Sequence, residues 1–94
     1  MQWSKQSFRI LMTTTEKMQE GYVSGPWGIH KHEKGWVLTL IPSGMAVRDT
    51  PTLAKAKQIA EHMNQAGGWE AVKTSADTTP AQLEAYREIR RMGF

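Results

Sequence analysis

The stretch WGIHKHEKGWVLTLIPSGMAVRDTPTLAKAKQIAEHMNQA, Trp27 to Ala66, decides the fold. WGIHKH (27–32) alternates, with Trp27 and Ile29 on one side and His30 and His32 on the other. Glu33-Lys34-Gly35 reads as a tight hairpin loop whose glycine takes the positive φ. WVLTLI (36–41), rich in β-branched, aromatic and aliphatic residues, is the strongest strand. Trp36, Leu38 and Leu40 share one of its faces, and Val37, Thr39 and Ile41 the other. Pro42-Ser43-Gly44 makes a second turn. MAVRD (45–49) then forms a third strand, with Met45 and Val47 inward and Arg48 outward. Two short loops in succession predict an antiparallel meander.

A helix follows. Thr50 as cap, Pro51 at the first helical position and Gly67-Gly68 past the end bound it. Between them Leu53, Ala56, Ile59 or Ala60, and Met63 recur at helical spacing. That stripe covers the apolar sheet face, because a meander alone buries too little surface to be stable. Lys55, Lys57, Gln58, Glu61 and His62 are left towards solvent.

The flanks extend this β-β-β-α unit of residues 27–66. Residues 1–26 admit two readings. Phe8, Ile10 and Met12 alternate with Arg9, Leu11 and Thr13, as in an edge strand; Phe8, Leu11, Met12 and Thr15 also fit one helical face. Thr13-Thr14-Thr15 leans towards strand, since β-branched residues crowd a helix. Glu16 to Glu20 reads as a helical turn, and Gly21 to Pro26 as a loop. Met12 also offers an internal start that would leave the first eleven residues as an extension. WEAVKT (69–74) resembles a short edge strand. Thr79-Pro80-Ala81-Gln82 carries the cap, first-turn proline and capping-box glutamine of a second helix in 79–94. Its stripe is Leu83, Tyr86, Ile89 or Arg90, and Met92, with Gly93 and Phe94 closing it. The expected fold is α+β: a single domain over 1–94, an antiparallel three- to five-stranded sheet and a second, C-terminal helix.

Composition narrows the function. With 39% hydrophobic and 22% charged residues, the 94-residue chain suits a soluble globular domain. It has no cysteine, which excludes disulfides, thiolate catalysis and the usual structural zinc sites. No run is long enough for a signal h-region or a bilayer span, so the expected setting is cytoplasmic, away from membranes. The net charge is +3 and is unevenly spread. Residues 27–57 hold Lys31, Lys34, Arg48, Lys55 and Lys57 against Glu33 and Asp49; residues 58–79 hold Lys73 against Glu61, Glu70 and Asp77.

Catalytic constellations are thin. His30 and His32 point the same way, and Glu33 and His62 are further candidates for a metal, but no spacing fixes a third ligand. Solvent-face polar residues explain the two strand histidines equally well. Ser43 lies in a hairpin turn without a nucleophile elbow, and Gly21, Gly25 and Gly28 lack phosphate-loop spacing. Neither an enzymatic activity nor a cofactor or metal is expected.

Four tryptophans in so short a chain are the unusual feature. Trp27, Trp36 and Trp69 each begin an alternating segment and suit the core; alternatively one or two lie exposed beside Lys31, Lys34 and Arg48 as a basic, aromatic surface. His30, His32, Thr39 and Arg48, with Val37 and Ile41, should share the second sheet face, either under the second helix or open for contact. Arg87, Arg90 and Arg91 end that helix, where they complement its dipole and can pair with Glu84 and Glu88, or can meet phosphate.

At the level of fold, residues 27–66 resemble the three-stranded-sheet DNA-binding domains of plant AP2 factors and of integrase arm-binding domains, and in part double-stranded RNA-binding domains. The resemblance implies a sheet or helix end that meets a nucleic-acid backbone. The basic cluster that begins the helix of double-stranded RNA-binding domains is absent here.

The expected function is therefore non-enzymatic binding of nucleic acid or a nucleoprotein complex. The expected surface is Lys31, Lys34, Arg48 and Trp27 of the sheet with Arg87, Arg90 and Arg91 of the second helix. The alternative is a phage-encoded, anti-CRISPR-like inhibitor that binds and blocks a host nuclease or CRISPR complex. Shortness, lack of cysteine and lack of catalytic motifs match it.

Overall fold

The computed structural model describes residues 1–11 and 15–93. Five strands follow one another in chain order, each antiparallel to the next in one open sheet: β1 (Ser4–Leu11), β2 (Glu16–Ser24), β3 (Trp27–His32), β4 (Gly35–Leu40) and β5 (Met45–Thr50). Helices α1 (Leu53–Asn64) and α2 (Pro80–Arg91) complete an α+β fold. Short 3-10 turns at Trp69–Ala71 and Ser75–Asp77 join them. No helix among the described residues is long and apolar enough to cross a membrane.

Alternation along β3 and β4 sets the main core. Trp27 pairs with Leu40, and Ile29 with Leu38, on the face that meets α1. There they pack with Ala56, Ile59, Ala60 and Met63 of α1 and Ile89 of α2. Trp69 joins this core with its ring 5.2 Å from that of Trp27. Both indole N–H groups are spent on α1: Trp27 Nε1 donates to Asn64 Oδ1 (3.2 Å) and Trp69 Nε1 to the Met63 carbonyl (2.7 Å). A buried indole needs such an acceptor.

The second face is closed without a helix. Beyond the Tyr22–Ile29 pair, β2 leaves β3 and continues only with β1. Gly21 and Gly28 permit the bend: a Cβ at Gly21 would fall on the Ile29 carbonyl oxygen, and one at Gly28 would lie 2.7 Å from the Phe8 ring. The β1–β2 hairpin thereby curls over the sheet and buries Phe8 and Ile10 on the same side as His30, Val37 and Thr39. Its tip is pinned where the Leu11 N–H donates to the Gly44 carbonyl (2.7 Å). Arg9 adds a bond to the Pro42 carbonyl (3.3 Å).

Several sequence expectations change. Of the first eleven residues, Ser4–Leu11 form a sheet strand that buries Phe8 and Ile10. Met12, Thr13 and Thr14, on which part of the edge-strand reading and the internal start rest, lie outside the described residues, as does Phe94. Glu16–Glu20 is strand, not helical turn, because an eight-pair ladder with β1 outweighs the helix preference of Glu, Lys, Met and Gln. The loop before β3 shrinks to Gly25-Pro26. Within WEAVKT, Trp69–Ala71 turns as a 3-10 helix, which puts Trp69 and Val72 inward together instead of on opposite sides. In the β3–β4 turn it is Glu33 that takes positive φ (50°); Gly35 lies in β4, where a Cβ would stand 2.6 Å from the Thr50 carbonyl oxygen. Helix α1 is capped by Thr52, not Thr50; the Thr50 hydroxyl donates to the Thr52 carbonyl (2.8 Å). The capping box at Thr79 and Gln82 is present. Yet α2 buries Gln82, Ala85 and Ile89, leaves Leu83 and Met92 exposed, and packs beside α1, not over the second sheet face.

Candidate nucleic-acid interface

Pairing in β3 and β4 places Lys31 opposite Trp36, on the face that bears the helices. Lys31 Nζ stands 5.0 Å from the indole centroid. Tyr22 of β2, which pairs with Ile29, brings its ring to 6.3 Å from that of Trp36. From α1, Lys57 Nζ reaches 5.4 Å from the Tyr22 ring. A row Lys31–Trp36–Tyr22–Lys57 thus crosses three strands and a helix. Lys31 is exposed and the other three are half-buried. An ammonium over a ring is held by the ring quadrupole at about 0.5–1 kcal/mol at such exposure, enough to bias its position while it stays open to an anion. Lys34 is exposed in the turn of the same hairpin.

The other predicted residues fall elsewhere. Trp27 is fully buried in the main core, which removes it from any surface. Arg48 was expected to point away from Met45 and Val47, on the second face. The β4–β5 ladder shifts register between Leu38 and Thr39, so that Thr39 pairs with Ala46 and Leu38 with Arg48. Val47 is the extra residue of this bulge, and Arg48 turns to the helix-bearing face. There it lines a polar notch with Tyr86 and Arg90. Arg91 binds Glu84 across α2 (2.9 Å), and Arg87 is exposed. Glu88, the other anticipated arginine partner, instead meets His62 Nε2 at 2.8 Å and ties α2 to α1. The structure therefore sorts the predicted cations into Lys31 and Lys34 on one hairpin and Arg48 with Arg90 beside Tyr86.

Tyr22 and Lys57 were not among the expected site residues. Tyr22 lay in a segment read as loop, and Lys57 read as one more solvent-facing helix cation. No alternation marks β2, since Met18, Glu20 and Tyr22 on one side and Gln19, Gly21 and Val23 on the other are each mixed in polarity, and only pairing with β1 reveals the strand.

The histidines do not converge. His62 is engaged with Glu88, and His32 is exposed. His30 is buried against the Phe8 ring, with no hydrogen-bond partner for its Nδ1 among the described residues. Burial holds its pKa below the usual 6.5, helped by the charges of His32 and Lys17 and opposed by Asp49. Among the described residues no group of three or more His, Asp or Glu side chains stands as a metal would require. Beside His30 a cleft of about 270 Å3 is lined by Lys17, Gln19, His32 and Asp49 among others.

Comparison with known protein families, with curated proteins and with solved structures finds no match.

Proposed function

We propose that the chain is a non-enzymatic binding protein whose partner is nucleic acid, engaged through Lys31, Trp36, Tyr22 and Lys57. The observation that carries this is the interleaving of two ammonium groups with two part-exposed rings in one row. A polynucleotide alternates phosphates with flat bases. Lysines release counterions from the phosphates, and tyrosine or tryptophan faces stack the bases at about 1–3 kcal/mol each. Lys34, at the turn of the β3–β4 hairpin, extends the positive edge. Such a protein works in the cytoplasm without a cofactor.

The test is binding of labelled single- and double-stranded oligonucleotides at two salt concentrations. Wild type should lose affinity steeply as salt rises. Replacing Lys31, Lys34 and Lys57 together by alanine should flatten the salt slope by about three phosphate equivalents while melting is unchanged. Trp36→Ala should weaken single-strand binding by about 1–3 kcal/mol. Weak, salt-independent binding that is equal for wild type and triple variant overturns the reading. The protein would then be assigned as an inhibitor that blocks a host nuclease or CRISPR complex.

A further inference from the structure

An apolar cleft of about 290 Å3 opens between β5 and the segment running from Trp69 into α2. Buried Leu40, Met63, Trp69 and Val72 lie at its base. Met45 (50% exposed) and Leu83 (42% exposed) stand on its rim. Exposed apolar side chains scattered singly mean little; these border one continuous apolar surface. The cleft runs on into the polar notch: both share Ala46, Val47 and Tyr86, and the notch adds Arg48, Asp49 and Arg90. Asp49 pairs with Val37 and belongs to the sheet face of His30, so the charge presented in the notch is that of Arg48 and the exposed Arg90, which favours an anion.

We propose that cleft and notch form one docking site for a peptide segment of a partner protein, with an apolar side chain in the cleft and an adjacent carboxylate on Arg90. Charge complementarity selects an acidic segment, and a guanidinium takes a carboxylate in two parallel hydrogen bonds. The volume lies at the low end of ligand pockets, about 300–1,000 Å3, and suits a side chain entering from outside. The Ser75 hydroxyl along the cleft offers a partner to a peptide backbone, while those of Thr74 and Thr78 are held by Asp77 and the Ser75 carbonyl. A polynucleotide would satisfy the arginines but carries no flexible apolar side chain that could enter the cleft beside its charged backbone. This site is additional to the Lys31–Trp36–Tyr22–Lys57 row and does not depend on it. The bulge at Val47 creates it, since without that extra residue Arg48 would face the other side of the sheet.

The test is an NMR titration of methyl-labelled protein with two synthetic peptides, a phenylalanine flanked by glutamates and the same residue flanked by lysines. Methyl signals of Met45, Val47 and Leu83 should move, and the glutamate peptide should bind about five- to ten-fold more tightly. Arg90→Glu, an exposed change whose folding is checked by melting, should reverse that preference. Leu83→Ser, which changes no charge, should weaken both peptides and leave oligonucleotide binding at the wild-type level. Lys31→Glu should weaken oligonucleotide binding while the methyl shifts caused by peptide persist. Equal affinity for the two peptides, shifts confined to the Trp36 row, or no shift at millimolar peptide overturns the proposal.

Discussion

Val37 and Leu38 are neighbours in β4, yet the layers above them have little in common. Over Leu38 lies a helix whose stripe of Ala56, Ile59, Ala60 and Met63 was written into the sequence at helical spacing. Over Val37 lies the sheet's own first hairpin, folded back at Gly21 and fastened at Leu11 and Gly44. The first layer is mostly apolar, with the Trp27 and Trp69 indole N–H groups bonded, while the Trp3 indole at its margin has no partner for its Nε1 among the described residues. The second mixes Phe8 and Ile10 with His30 and Thr39, and leaves the imidazole Nδ1 unpaired among the described residues. A chain of this size can thus close both faces of a sheet with one helical layer, provided that the sheet bends. The bent side should be the weaker.

Four measurements can break or sharpen that contrast. Leu38→Ala should cost about 4 kcal/mol, read as a lower denaturation midpoint with an unchanged slope, because a fully buried leucine leaves a cavity that helix and sheet cannot fill. Phe8→Ala should cost about 3 kcal/mol, since the hairpin can settle partly into the space. Hydrogen exchange should show protection lost first in β1 and β2, whereas Leu38→Ala should lower protection everywhere. Equal, global effects from both would mean the two faces are one cooperative layer.

The third measurement is stability against pH. The pKa of His30 lies below its unfolded value of 6.5, so the unfolded chain takes up the proton first. The contribution of neutral His30 is fully present above pH 6.5 and is lost as pH falls through 6.5 towards the folded pKa. The stability difference between His30→Leu and wild type should therefore move in favour of the variant as pH drops across that window. A difference independent of pH would place the histidine in water. The smallest effect is expected from Arg9→Ala, which removes an exposed pair with Glu16 (2.9 Å) and the bond to the Pro42 carbonyl. It should cost at most about 1 kcal/mol, confined to exchange near the hairpin tip.

The helix-covered side was legible because period and punctuation agreed. Alternation in 27–32 and 36–41, turn residues at 42–44, and the stripe from Leu53 to Met63 all pointed to one answer. The hairpin side was hidden because Glu-Lys-Met-Gln-Glu is as good a helix former as it is a poor strand former, and only pairing with β1 settles it. The candidate site was half legible. Lys31, Lys34 and Trp36 could be placed on their hairpin, but the bulge at Val47 has no sequence mark and sent Arg48 to the other face. Trp69 and Val72 were read with period two where a 3-10 turn applies period three.

Strand order that copies chain order also governs how quickly the molecule can assemble. Each ladder joins segments separated by one short connection, so every hairpin can close without first ordering a distant part of the chain. The pin between Leu11 and Gly44 is the exception, since it spans three intervening turns. Its closure must follow the β2–β3 and β3–β4 hairpins, because the loop it closes is short only once they exist. Substitutions around Leu11 and Gly44 should accordingly leave the folding rate nearly unchanged and speed unfolding.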